Sequence, residues 1–148
     1  MFKHIVVPID GSRSSLAAVK CAARLAREQK ARLTAFWVAP SWEPNLYAYD
    51  EKVPPGFISP SQHKAHVKKA ARRRFAAARR AAGARSAAFR CEYVEGSIPY
   101  LEIVRAARRR SCDLIVMASH SHGLSRLLLG SQASKVLAHA DIPVIVCR

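Results

Sequence analysis

Long apolar runs are missing from this 148-residue chain, and none of its segments approaches the ~18 residues a helix needs to cross a bilayer. The amino terminus reaches Pro8 and then Asp10 before a signal-peptide core can form. No C-x-x-C pair or short metal-ligand spacing joins the four cysteines, Cys21, Cys91, Cys112 and Cys147, each of which lies in or beside an apolar segment. These absences point to a cytoplasmic protein without membrane association, its cysteines buried and reduced. Six glycines and eight prolines are too few for a collagen-like or low-complexity chain. Half of the residues are apolar, so one compact domain spanning residues 1–148 is expected.

Acid is scarce as well. Lysine and arginine number 25 against 10 aspartates and glutamates, a net charge of +15, and such an excess attracts polyanions whatever the fold. No acidic residue falls between Glu51 and Glu92, a stretch holding Lys52, Lys64, Lys68, Lys69, Arg72, Arg73, Arg74, Arg79, Arg80, Arg85 and Arg90, and Arg108-Arg109-Arg110 follows. A helix face so charged would bind DNA or RNA phosphates in a salt-dependent way. Few aromatics interleave with the basic residues, which makes any such binding blind to sequence. The same face would serve an acidic protein partner, and a plain solvated surface is the third reading.

What is present is an alternation of short β-branched runs with longer Ala- and Arg-rich segments, the pattern of a parallel sheet covered by helices. Strands are expected at His4–Ile9, Arg32–Val38, Ala87–Val94, Asp113–Ala118 and Pro143–Cys147, and helices near Ser14–Gln29, Ser61–Ala82, Ile98–Arg110 and Gln132–Ala140. Ile5-Val6-Val7, Leu114-Ile115-Val116 and Val144-Ile145-Val146 are continuously apolar, as central strands covered on both faces are. The first helix repeats Leu16, Val19, Ala23 and Ala26 after the capping candidates Ser12, Ser14 and Ser15; the second carries the stripe Val67, Ala71, Phe75, Ala78 and Ala82. Right-handed crossovers with helices on both faces give the strand order 3-2-1-4-5. Ala39–Pro60, with five prolines, reads as a long loop. Its Trp42, Tyr47, Tyr49 and Phe57 either cover a ligand as a flap or pack the loop onto the sheet edge.

In an open α/β sheet, ligands bind beyond the carboxyl ends of the strands where the strand order reverses, here between the loops after strands one and four. Those loops concentrate Gly, Ser, Asp and His: Pro8-Ile9-Asp10-Gly11-Ser12 on one side, Ser119-His120-Ser121-His122-Gly123 through Gly130-Ser131 on the other. A helix start at Gly130-Ser131 offers free N–H groups and a positive dipole end to a phosphate; the plainer reading is that Ser131 only caps the helix and Gly130 only turns the chain. His120, His122 and Asp10 could hold a metal, but no third ligand is fixed by spacing, and solvated loop histidines are the simpler account. Ser119 or Ser121 with His120 and Asp10 would make a hydrolytic set, yet no G-x-S-x-G elbow and no G-x-x-x-x-G-K-[ST] loop is present. An efficient ATPase is not expected, and slow hydrolysis of a bound nucleotide is left open.

Three separated blocks carry a resemblance to a known family. Lys3-His4-Ile5-Val6-Val7-Pro8-Ile9-Asp10-Gly11-Ser12, Cys112-Asp113-Leu114-Ile115-Val116-Met117-Ala118-Ser119-His120, and Leu124-Ser125-Arg126-Leu127-Leu128-Leu129-Gly130-Ser131, with Val136-Leu137 and Ile142-Pro143-Val144-Ile145-Val146, occur in the right order, so the chain resembles a universal stress protein domain over essentially its full length. The resemblance implies a Rossmann-like α/β domain with five parallel strands, a homodimer formed through the last strand, a regulatory role in stress response, and in some members ATP binding. Carried over by position, it implies adenine contacts near Pro8, Asp10 and Val38, ribose contacts near Met117 and Ala118, and phosphate contacts at Ser121, Gly130, Ser131 and Gln132. The ATP-binding members show G-x-x-G-x9-G-[ST] after strand four. Here Ala118 and Ser121 stand where the first two glycines belong, and one residue is missing before Gly130. Weakened or altered phosphate binding is therefore expected, with a stress protein that binds no nucleotide and uses its basic face as the alternative.

Overall fold

A computed structural model describes residues 1–43, 58–83, 88–119 and 129–148. Its elements run in the order β1 (His4–Pro8), α1 (Arg13–Gln29), β2 (Arg32–Ala39), α2 (Pro60–Ala82), β3 (Phe89–Glu95), α3 (Pro99–Arg109), β4 (Leu114–Ala118), α4 (Ser131–His139) and β5 (Val144–Cys147). The strands form one sheet in the order β3-β2-β1-β4-β5, every pairing parallel. This is the expected Rossmann-like topology.

Alternation along β1 divides the core into two layers. Ile5 and Val7 join Leu33, Ala35, Leu114 and Val116 beneath α1 and α2, while Val6 joins Phe36, Ile115 and Met117 beneath α3 and α4. The α1/α2 layer is filled largely by alanine: Ala18, Ala22, Ala23, Ala26, Ala71, Ala78 and Ala82 are all buried. Leu16, expected in the α1 stripe, is only half-buried, because Ser15, Ala18 and Ala22 take the inward positions. Phe75 packs at the edge of the same layer and is also half-buried.

Two polar clusters, one around Asp113 and one around the His4 ring, fix the amino-terminal end of the sheet. The Asp113 carboxylate accepts the backbone N–H groups of Lys3 and His4 at 2.7 and 2.9 Å. Burial works to raise its pKa, but hydrogen bonds from backbone N–H groups outweigh this and hold it below the ordinary value of 3.8. The buried His4 ring contacts the Arg110 carbonyl through Nδ1 at 3.1 Å and the Thr34 hydroxyl through Nε2 at 2.8 Å. Burial is the main cause that lowers its pKa, so a neutral ring donating from Nδ1 and accepting at Nε2 satisfies both neighbours.

The thiols depart from expectation in part. Only Cys112 is fully buried, Cys91 and Cys147 are half-buried, and Cys21 on α1 is exposed. Burial pushes the Cys112 thiol up to about 11. Burial, with help from the neighbouring Cys21 thiol, pushes Cys147 to about 12, so both stay protonated at neutral pH. Among the described residues no helix is long and apolar enough to cross a membrane.

Candidate functional site

The order of the sheet reverses at β1, which has β2 on one side and β4 on the other. A cavity of about 500 Å³ opens at the carboxyl ends of these strands. Pro8, Ile9 and Asp10 from the β1–α1 turn, Phe36, Trp37 and Val38 from β2, and Met117 and Ala118 from β4 line it, and the first residues of α3 and α4, Pro99 and Ser131 to Ala133, complete it. Pro8, Asp10, Val38, Met117, Ala118, Ser131 and Gln132, all singled out from the sequence, thus meet in one cavity. Gly130 is buried next to it as the N-cap of α4. Ser121, with His120, His122, Tyr47, Tyr49 and Phe57, lies outside the described residues.

The β1–α1 turn is built tightly. Gly11 has φ +88°, a left-handed conformation that glycine adopts without strain. The Asp10 carboxylate accepts the Ser12 N–H at 2.9 Å, and the Ser12 hydroxyl accepts the Ser15 N–H at 3.1 Å, capping α1. From α2, Arg74 donates through Nε to the Asp10 carbonyl at 3.1 Å and lays its guanidinium 4.3 Å from the centre of the Trp37 ring. Arg74 is therefore turned toward Asp10 and Trp37, two residues that line the cavity, and away from the outer basic face where its sequence neighbours place it. An ideal Cβ on Gly11 would stand 3.4 Å from Arg74 side-chain atoms, so the turn and this arginine are fitted to each other.

The two helices opposite differ in how their first N–H groups are used. Pro99, the first residue of α3, has no N–H, and the Tyr100 N–H donates to the Gln132 side-chain oxygen at 3.0 Å. Gln132, a phosphate candidate by resemblance, thus spends its carbonyl on capping α3. No side chain caps α4: its N-cap is Gly130, and the backbone N–H groups of Ser131, Gln132 and Ala133 have no hydrogen-bond partner among the described residues. The reading of Ser131 as a simple cap is corrected, since Ser131 is the first helical residue and its exposed side chain lines the cavity.

Sequence reasoning missed Phe36, Trp37, Pro99 and Ile103 on the cavity wall. The two aromatics sit inside a strand that reads as core, and only the topology shows that their end of it is a wall. Trp42 is better placed: its indole N–H donates to the Ile58 carbonyl at 3.0 Å, joining the two ends of the long connection. His63 meets the Pro40 carbonyl at 3.1 Å nearby.

The basic run Arg108-Arg109-Arg110 is largely engaged, with Arg108 paired to Asp141, Arg109 to Glu102 at 3.7 Å and Arg110 to Glu92. On α2, by contrast, Lys64, Lys68, Lys69, Arg72, Arg73, Arg79 and Arg80 are exposed.

An open parallel α/β sheet with a cleft at its switch point defines the Rossmann-like class of domains, and comparison with known proteins narrows the class to a family. The universal stress protein family model matches residues 1–148. Universal stress protein MJ0531 of Methanocaldococcus jannaschii is 32% identical over 160 aligned residues, covering 100% of this chain and 83% of that protein. Universal stress protein UspA from Lactobacillus plantarum superposes with a TM-score of 0.71 at 28% identity, covering 99% of this chain and 97% of the other. A universal stress protein solved in complex with cAMP has a TM-score of 0.66 at 26% identity and covers 99% and 97% of the two chains. The chain belongs to the universal stress protein family.

Proposed function

We propose that the protein is a regulatory stress protein that binds an adenine nucleotide such as ATP in the cavity between the β1 and β4 loops. The observation that carries this reading is the pairing, in one cleft, of an apolar wall with an open helix N-terminus. Pro8, Val38, Met117 and Ala118 offer apolar contacts suited to a base, and Asp10 stands beside them. The N–H groups at the start of α4, which have no acceptor among the described residues, suit a phosphate with the help of the helix dipole. The related protein solved with cAMP supports the same ligand class. Asp10 is the one carboxylate among the described lining residues, which favours binding over turnover. Two copies pair through β5, where Ile145 is 37% exposed and, on the preceding α4, Leu137 is 43% exposed.

Thermal unfolding with and without nucleotide tests the ligand. At a concentration about 100 times Kd, ATP raises Tm by roughly 5–10 °C, because it binds only the folded chain. Ser131→Asp sets a carboxylate at the start of α4, where it satisfies the helix and repels phosphate. The variant keeps or slightly raises the ligand-free Tm and loses the ATP response. An unchanged Tm in ATP, AMP and cAMP would refute nucleotide binding.

A further inference from the structure

Away from the cavity, α1 and α2 lie side by side, with Arg27 of α1 donating to the Ala82 carbonyl at the end of α2 at 3.2 Å. Between them runs an open groove of about 550 Å³. Its floor is Leu16, Ala17, Ala77 and Ala81, and its rim carries Arg13 and Lys20 on the α1 side and Arg80 on the α2 side. The floor exists because small side chains face each other where the helices meet. The three rim cations are exposed and form no ion pair among the described residues. Neighbouring charge adds to theirs, since α2 contains no acidic residue and the one acid of α1, Glu28, is paired with Arg24.

We propose that this groove is a docking site for an amphipathic acidic helix of a partner protein, its apolar stripe on Ala17, Ala77 and Leu16 and its carboxylates on Arg13, Lys20 and Arg80. The rim cations Arg13 and Lys20 are seven residues apart on α1, two helical turns or ~10 Å, so a helix laid along the groove meets them with carboxylates at matching i and i+7 positions. Arginine at two of the three rim positions suits carboxylates, which it can hold with two parallel hydrogen bonds. The apolar floor decides between polyanions. A nucleic-acid backbone gains nothing from Leu16 and three alanines, whereas an amphipathic helix buries its stripe there and excludes water from the flanking ion pairs. The site is separate from the nucleotide cavity, and the proposal stands whether or not that cavity takes ATP.

The test is fluorescence anisotropy of the intact protein with a labelled synthetic peptide of about 18 residues, roughly five helical turns, carrying glutamates on both flanks of a leucine-alanine stripe. A scrambled peptide of the same composition, a duplex of about 20 base pairs and anionic phosphatidylserine vesicles are the comparisons. The striped peptide should bind about tenfold tighter than its scramble, and Ala17→Gln with Ala77→Gln, which roughens the floor without changing charge, should remove that advantage. Both positions are solvent-accessible, and a melting curve checks the fold; Arg13→Ala with Arg80→Ala gives the same loss from the rim should the first variant melt early. Equal binding of the two peptides overturns the proposal. So does a loss of duplex or vesicle binding in the glutamine variant as large as the loss of peptide binding.

Discussion

The starts of α1, α2 and α3 on the one hand and of α4 on the other are built by different rules. Ser12 caps α1; Ser59 and Gln62 form a reciprocal capping box on α2, with Pro60 at its first position; Pro99 and the distant Gln132 satisfy α3. Only α4 begins with a glycine and no side-chain partner, and only there do three successive N–H groups have no acceptor among the described residues. Unsatisfied donors weaken a helix end, so a start left open beside a cavity is the mark of a binding surface. The first three ends are closed by proline and side chains, and the fourth is the end on which the proposed nucleotide site rests.

That contrast can be broken from either side. The largest effect is expected at α4, where Ser131→Asp removes the ATP-induced rise in Tm, a loss of about 2.7 kcal/mol of ligand stabilisation at a hundredfold excess over Kd, while calorimetry without nucleotide shows no destabilisation. Next comes the turn that faces it: Gly11→Val forces a branched residue into a left-handed conformation against Arg74 and should lower stability by about 1–3 kcal/mol in urea unfolding. Ser12→Ala and Ser59→Ala should each cost about 1 kcal/mol by the same measurement, with no change in nucleotide response. An equal loss of nucleotide response from the cap variants would erase the distinction between the two kinds of helix start.

The smallest effect is in pH dependence. His4 titrates below its unfolded value of 6.5 because burial disfavours the charged ring, so between the two values the unfolded chain binds more protons than the folded one. Stability from this group is complete above pH 6.5 and declines as pH falls below it. Asp113, held below 3.8, adds a second decline as pH falls through its folded value. Urea midpoints measured from pH 7.5 to about 4.5 should show the first decline in the native chain and lose it in His4→Gln.

The parallel sheet was legible because Ile5-Val6-Val7 and Leu114-Ile115-Val116 are apolar without alternation, which in a domain this size implies helices on both faces. The strand order and the place of the cleft follow from crossover handedness. Helix ends moved by a residue where proline was underweighted: α2 begins at Pro60 and α3 at Pro99, since a missing N–H costs nothing in the first turn. The capping box Ser59-Pro60-Ser61-Gln62 was readable in principle. Gln132 accepting from Tyr100, 32 residues earlier in the chain, and Arg74 turning from a basic run to cover Trp37, are set by tertiary approach alone. No periodicity carries such information.

The alanines that fill the layer beneath α1 and α2 have a thermal consequence. Alanine gives up no rotamer freedom on burial, and it exposes little apolar area on unfolding, so this half of the core contributes a small heat-capacity increment per residue. The stability curve of the domain should accordingly be broad, its curvature set mainly by the larger side chains of the two faces, Ile5, Leu33, Trp37 and Leu114 on one and Phe36, Ile103 and Met117 on the other.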